Sequence, residues 1–253
     1  MCFYTANSKK ALALANRHGR KSNIIEMAQE IINEQYRINA FSNPLCPIIT
    51  ESQNIEAAQW GLIPHWTKTV ENAKKIRQSC LNARAETVFN LPSFRVPIIN
   101  KRCLVPVTGF FEFHHANRSV IPYYIFLRND EIFSFGGLYE LWKNPATNEV
   151  TQTFSVLTVP ANERCAKIHN GGKNPFRMPL IISKENEEQW LDKSLKNNEI
   201  ESFFKSFDAD KMDAYPISKD FLKKRPDDAS IIEPEGKFNL SENKNSLKEF
   251  CLF

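Results

Sequence analysis

No stretch of this chain approaches the ~20 consecutive apolar residues that a membrane-crossing helix needs, so no membrane span is expected. The first residues hold no apolar core of a secretory signal, and the chain reads as cytoplasmic. Cysteine pairs at redox or zinc-ligand spacing are missing as well. The six cysteines, at 2, 46, 80, 103, 165 and 251, form no CxxC and are expected to be reduced thiols, mostly filling the core. The neighbouring His114 and His115 would point apart on a strand and cannot jointly hold a metal; no metal and no cofactor are expected. There is no phosphate-binding Walker loop, no dinucleotide fingerprint and no internal repeat. A net charge of +4 is too small to announce nucleic acid by itself.

What is present is a globular composition. The 253 residues are 42% hydrophobic with 19 Phe, enough for one full-sized core. Residues 2–235 read as one domain and 236–253 as a polar tail. The modest net charge is unevenly spread. From Thr67 to Arg102 eight bases (Lys68, Lys74, Lys75, Arg77, Arg84, Arg95, Lys101, Arg102) face only Glu71 and Glu86, which suggests a basic face.

The first candidate site is Met1-Cys2. Initiator Met is trimmed when the next side chain is small, as Cys is, leaving an α-amine and a thiol on neighbouring carbons. Their ordinary pKa values, ~8 and ~8.5, leave both partly nucleophilic near neutrality. The amine condenses with an aldehyde to an imine, and the thiol closes on the imine to a thiazolidine, a step made fast by being intramolecular.

Along the chain, Ser8 is placed to cap a helix through Ala11, Leu12, Leu14 and Ala15 that Gly19 stops, and Asn23 with Glu26 opens a second. Strands are expected from Tyr36 to Ile49, broken by Pro, and then from Arg102 to Phe113, Tyr123 to Leu127, Ile132 to Tyr139 and Thr153 to Val159. Asn162 to His169 reads as a short capped helix, Arg177 to Ile182 as a strand, and Ser183 as the cap of a long amphipathic helix around Trp190, Leu191 and Leu195. Tyr215 to Ser218 and Ile231-Ile232 read as closing strands. Trp60 and Trp66 are either core or, beside the basic segment, rings on which bases stack. Asn82 and Arg84 lie in a stretch without periodicity, where Arg84 can grip a phosphate and Asn82 can both donate and accept. Glu112 lies between two Phe residues: facing solvent it is simple alternation, facing inward its pKa rises into the range of a working acid or base. His169 ends its helix either as a cation satisfying the dipole or as a catalytic group.

Met1-Cys2, Trp60-Gly-Leu-Ile-Pro-His-Trp66, Asn82-Ala-Arg-Ala-Glu86, Arg102-Cys-Leu-Val-Pro with Gly109-Phe-Phe-Glu-Phe113, Ile168-His-Asn170 with Arg177-Met-Pro179, and Tyr215-Pro-Ile-Ser218 occur in the order found in the SOS response-associated peptidase (SRAP) family, which the chain resembles from Cys2 to about Pro234. The resemblance implies an α+β fold with a strongly bent antiparallel, barrel-like sheet and flanking helices. It implies recognition of abasic sites in single-stranded DNA and capture of their aldehyde by the mature Cys2 as a thiazolidine crosslink, in the DNA damage (SOS) response. Glu112 would shuttle protons, His169 would assist sugar ring opening and crosslink reversal, and Asn82 and Arg84 would position the terminus and the DNA backbone. Asn39 and Arg177 would touch DNA, with Trp60 and Trp66 as the stacking pair. A lyase-like side activity and self-cleavage of Met1 are further expectations, with a monomer, associated with the nucleoid when bound to DNA, as the default. The alternatives are a thiol peptidase using Cys2 and His169, and a non-covalent reader of single-stranded DNA. Departures from the family pattern are Phe3 and Tyr4 in place of Gly-Arg, Thr67 in place of a further Trp, Phe113 in place of Trp, and the insertion from Gly171 to Phe176.

Overall fold

The structure, a computed structural model, describes residues 2–9, 11–20, 34–117 and 119–236. In chain order these form β1 (Tyr4–Asn7), α1 (Ala11–Arg17), β2 (Gln35–Asn39), β3 (Leu45–Ile49), β4 (Ile55–Trp60), α2 (Val70–Ser79), β5 (Asn82–Arg84), α3 (Pro97–Asn100), β6 (Arg102–Val107), β7 (Gly109–Ala116) and β8 (Ser119–Leu127). Then follow β9 (Phe133–Lys143), β10 (Val150–Pro160), α4 (Glu163–Ile168), β11 (Arg177–Pro179), β12 (Ile181–Ile182), α5 (Glu187–Leu191), α6 (Asn197–Glu201) and β13 (Met212–Pro216).

Five strands close into a barrel. β10 pairs with β4, β4 with β3, β3 with β6, β6 with β9, and β9 returns to β10. All of these pairings are antiparallel except β4 with β10, which runs parallel at the seam. Closure removes the exposed strand edges that an open sheet would leave. The barrel is filled by aromatic rings: Phe110 meets Phe135 edge-on at 5.6 Å and Trp60 stacks on Phe154 at 5.6 Å. A second sheet, in the order β13-β8-β7-β1-β2, packs its outer face on Phe221 and Ile231.

The stretch from Arg102 to Phe113, expected as one strand, is two strands in two different sheets. The chain bends at Thr108, whose N–H donates to Ala6 O at 2.9 Å. Gly109 makes the bend possible, because a Cβ there would lie 2.3 Å from Tyr124 Cζ, and the Tyr124 hydroxyl donates to Thr108 O at 3.0 Å. This bend places Glu112 in the second sheet, on the strand beside β1.

Two further expectations are corrected. The long helix after Ser183 is a 3-10 turn followed by α5 and α6, because the Asp192 side chain accepts from Ser194 N–H at 2.8 Å and ends α5 in a side-chain turn. Ile231-Ile232 lies in a 3-10 turn capped by Asp228 rather than in a strand. The basic segment holds a helix, α2, whose sparse apolar positions (Val70, Ala73, Ile76) hid it. The helix expected from Asn23 and the polar tail lie outside the described residues. Among the described residues no helix is long and apolar enough to cross a membrane.

The basic face is also smaller than the sequence suggests. Arg102 is 3% exposed, and its guanidinium donates to Trp190 O (2.8 Å), Ile98 O (2.7 Å), Ile99 O (2.6 Å) and Asp192 O. Lys101 pairs with the buried Glu140, and Arg77 donates to Gln59. Lys68, Lys74, Lys75, Arg84 and Arg95 remain exposed. Arg102→Met, similar in length but without donors, orphans those carbonyls. The expected cost is about 3 kcal/mol, or about 10 °C in Tm by thermal circular dichroism.

Candidate active site

β1 runs antiparallel to β7 with Tyr4 opposite Phe111 and Thr5 opposite Phe110. The residues before Tyr4 are thereby led along β7 toward Glu112. Alternation along β7 puts Phe110 in the barrel core, Phe111 and Phe113 against the second apolar cluster, and Glu112 on the Phe110 side. Of the two readings of Glu112, the inward one is correct: the carboxyl is 3% exposed. Desolvation raises its pKa from 4.5 to about 7, so both protonation states are populated near neutral pH.

Cys2 is fully buried. Its thiol donates to Tyr4 O at 3.6 Å, and burial first, then the Glu112 charge, push its pKa well above the ordinary value. β5 pairs in parallel with β10 (Asn82 opposite Val156) and carries Asn82 to the terminus, where its amide donates to Cys2 O at 2.9 Å. α4 starts at Asn162, whose side chain accepts from Cys165 N–H, and ends at His169. His169 Nδ1 lies 2.9 Å from Arg177 O. A carbonyl only accepts, so Nδ1 carries the proton and the neutral ring leaves a lone pair on Nε2, 3.7 Å from Glu112 Oε2. Burial lowers the His169 pKa and keeps the ring neutral.

Asn82, Glu112 and His169 line a cleft of about 680 Å³ walled by Phe3, Tyr4, Phe41, Gln78, His115, Lys173 and Asn174, among others. Four side chains named from the sequence, Cys2, Asn82, Glu112 and His169, are thus brought together from positions far apart in the chain. Chemically the group offers a thiol, a carboxyl that titrates near neutrality and a neutral imidazole. Among the described residues no cluster of three or more His, Cys, Asp or Glu side chains is placed to hold a metal ion.

The expected DNA contacts fare differently. Arg84 is exposed and donates to Asn174 Oδ1 at the cleft wall. Trp66 is 46% exposed but does not line the cleft. Trp60 is 1% exposed, with its indole N–H donating to Leu81 O at 2.8 Å; it is a core ring and cannot stack on a base. Arg177 is a strut, its guanidinium forked onto Glu86 and donating to Thr158 O at 2.7 Å. Asn39 caps the turn after β2 by accepting from Phe41 N–H at 3.0 Å. Lining residues that sequence reasoning did not single out include Phe41 and Gln78, which carry no local signal because packing places them; Lys173 and Asn174 lie in the insertion from Gly171 to Phe176. His115 is exposed and lines the cleft, while His114 is half-buried with Nδ1 at 2.9 Å from Lys167 O. Cys46, Cys80, Cys103 and Cys165 are free and buried; Cys251 lies outside the described residues.

Comparison with known proteins gives a consistent result. The model of the family described as "SOS response associated peptidase (SRAP)" matches residues 1–223. Abasic site processing protein YoqW of Bacillus subtilis is 35% identical over 196 residues, covering 76% of this chain and 83% of that protein. Abasic site processing protein HMCES of Gallus gallus is 24% identical over 231 residues, covering 76% of this chain and 66% of that protein. A crystal structure of a protein from Bacteroides thetaiotaomicron superposes with a TM-score of 0.90 at 46% identity, covering 93% of this chain and all of that one. One from Bordetella bronchiseptica, at 19% identity and a TM-score of 0.68, shares the fold. With the family model matched over nearly the whole described fold, and with YoqW 35% identical over 83% of its length, the chain belongs to the SOS response-associated peptidase (SRAP) family.

Proposed function

We propose that this protein processes abasic sites by capturing the open-chain aldehyde of the lesion, in single-stranded DNA, on the mature N-terminal Cys2. The observation that carries this reading is the convergence of Asn82 on the Cys2 carbonyl with Glu112 and His169 at the floor of one cleft. It agrees with the naming of YoqW and HMCES as abasic site processing proteins.

The chemistry follows from the groups present. The abasic sugar is mostly a closed hemiacetal; the His169 Nε2 lone pair accepts the C1′ hydroxyl proton as the C1′–O4′ bond breaks and passes it on to O4′, leaving the aldehyde and a free hydroxyl. The Cys2 amine attacks C1′; protonated Glu112 donates to the carbonyl oxygen and takes a proton back from the nitrogen, giving a neutral carbinolamine. Glu112 then donates to the hydroxyl, which leaves as one water, and recovers the iminium proton, leaving a neutral imine. Cys2 Sγ then bonds to the imine carbon and the thiol proton ends on the ring nitrogen, closing a thiazolidine with no oxidant or reductant needed. Asn82 contributes by holding the terminal carbonyl, so amine and thiol meet the aldehyde in one orientation.

The thiol-peptidase alternative asks for a readily formed thiolate. Burial raises the Cys2 thiol pKa instead, and the thiol hydrogen bond goes to Tyr4 O, which weighs against that reading. The deciding experiment is a denaturing gel with purified protein, Met1 removal checked by mass, and a single-stranded oligonucleotide carrying one abasic site. A covalent band that is absent with the undamaged oligonucleotide is expected. No band from correctly processed protein overturns the proposal.

A further inference from the structure

The inserted loop between His169 and Arg177 is built as a wall of the cleft. At its neck, Phe176 N–H donates to His169 O at 2.8 Å and His169 Nδ1 donates to Arg177 O at 2.9 Å, so the catalytic-site imidazole closes the loop itself. On one side Asn170 exchanges two hydrogen bonds with the His115 backbone, at 2.8 and 3.1 Å. Gly171 lies flat on the His115 ring, where a Cβ would come within 2.5 Å of Cγ. On the other side Asn174 Oδ1 accepts from Arg84. Phe176 holds a left-handed φ of +58°, a strained state for a bulky residue that the flanking bonds, Phe176 N–H to His169 O and Ala161 N–H to Phe176 O (2.9 Å), impose.

This fixed wall presents one exposed amine. Among the described residues lining the cleft, Lys173 is the single lysine or arginine. The other polar groups facing the cleft, Tyr4, Gln78, Ser79, Asn82, Asn174, His115 and His169, carry no fixed charge, and Glu112 can only add a negative one. A nucleic-acid strand entering the cleft brings a phosphate on each side of the lesion, and the cleft needs a cation to receive one. Asn174, next to Lys173 in sequence, accepts from the Arg84 guanidinium, which ties a second cation to the same loop.

Resting on the reading of the cleft as a site for single-stranded DNA, we infer that the 170–176 loop is a phosphate subsite in which Lys173 binds the backbone phosphate next to the lesion. Lys173 is a positioning residue: it sets affinity and leaves the aldehyde chemistry to Cys2 and Glu112.

The test is fluorescence anisotropy of the full-length protein with a labelled single-stranded oligonucleotide carrying a tetrahydrofuran abasic analogue, titrated at several salt concentrations. The analogue has no aldehyde, so the readout stands whether or not the wild type crosslinks a true abasic site, and failure of the capture chemistry is scored separately on the gel. A single-strand phosphate contact contributes a salt slope of about 0.7, which at 0.1 M salt corresponds to about fivefold in affinity. Lys173→Ala is therefore expected to weaken binding about fivefold and flatten the slope of log K against log salt by about 0.7. Lys173→Arg is expected to restore both, and Lys205→Ala, on a different groove, to change neither. Wild-type affinity and slope in Lys173→Ala, or weakened binding with an unchanged slope, overturns the inference.

Discussion

Cys2→Ala is expected to give no covalent band on a denaturing gel, a complete loss rather than a slowing. The α-amine survives in this variant, so an imine still forms, but no thiol closes on it and water returns the aldehyde. The prediction has a second half that a merely misfolded variant would fail. Adding a mild hydride donor such as cyanoborohydride reduces the imine to a secondary amine, and a stable band should reappear. The substitution removes one sulfur atom from a buried position. The fold should persist, which far-ultraviolet circular dichroism checks. If Cys2→Ala crosslinks as the wild type does without reductant, the thiazolidine reading is wrong. If it gives no band even with reductant while folded, the amine is not the nucleophile.

Glu112→Gln is expected to slow crosslinking by about 10²–10⁴-fold, the usual worth of a positioned acid or base. The wild-type rate should show an inflection near the carboxyl pKa of about 7, and the variant should lose it. Stability moves in the opposite direction. The folded-state pKa is raised from 4.5 to about 7, so the folded protein holds this proton more tightly than the unfolded chain. That contribution is fully present below pH ~4.5 and is lost as pH rises through about 7, amounting to on the order of 3 kcal/mol. Gln stays neutral throughout, so the Tm of the variant relative to wild type should climb between pH 5 and pH 8. An unchanged Tm difference over that range would mean that Glu112 ionises in the fold at its ordinary pKa.

The two variants divide the site along a line that the sequence only partly drew. The amine–thiol pair at Cys2, the capped helix ending at His169 and the order of the motifs are local or serial properties, and each is readable one residue type at a time. The same holds for the strands rich in β-branched and aromatic residues in the middle of the chain. Trp60 and Trp66 show where this stops. Both sit in one short motif beside one basic segment, yet one is sealed against Phe154 and the other is half in solvent. Arg84, Arg102 and Arg177 are equally alike on paper. One is exposed at the cleft, one is locked among backbone carbonyls and one is forked onto Glu86.

By itself the sequence determined the family and the identities of the groups proposed as nucleophile and proton carriers, because reactivity begins with functional groups and their order along the chain. Only the tertiary structure decided that Glu112 faces inward with a pKa near neutrality, that the strand before it breaks at Thr108, and that the inserted loop stands over the cleft with Lys173. The physical reason is that exposure and pKa depend on what other segments cover a side chain. The turn at Gly109, the strand laid down by Tyr4 and the neck closed by His169 supply that cover from residues far away in the chain.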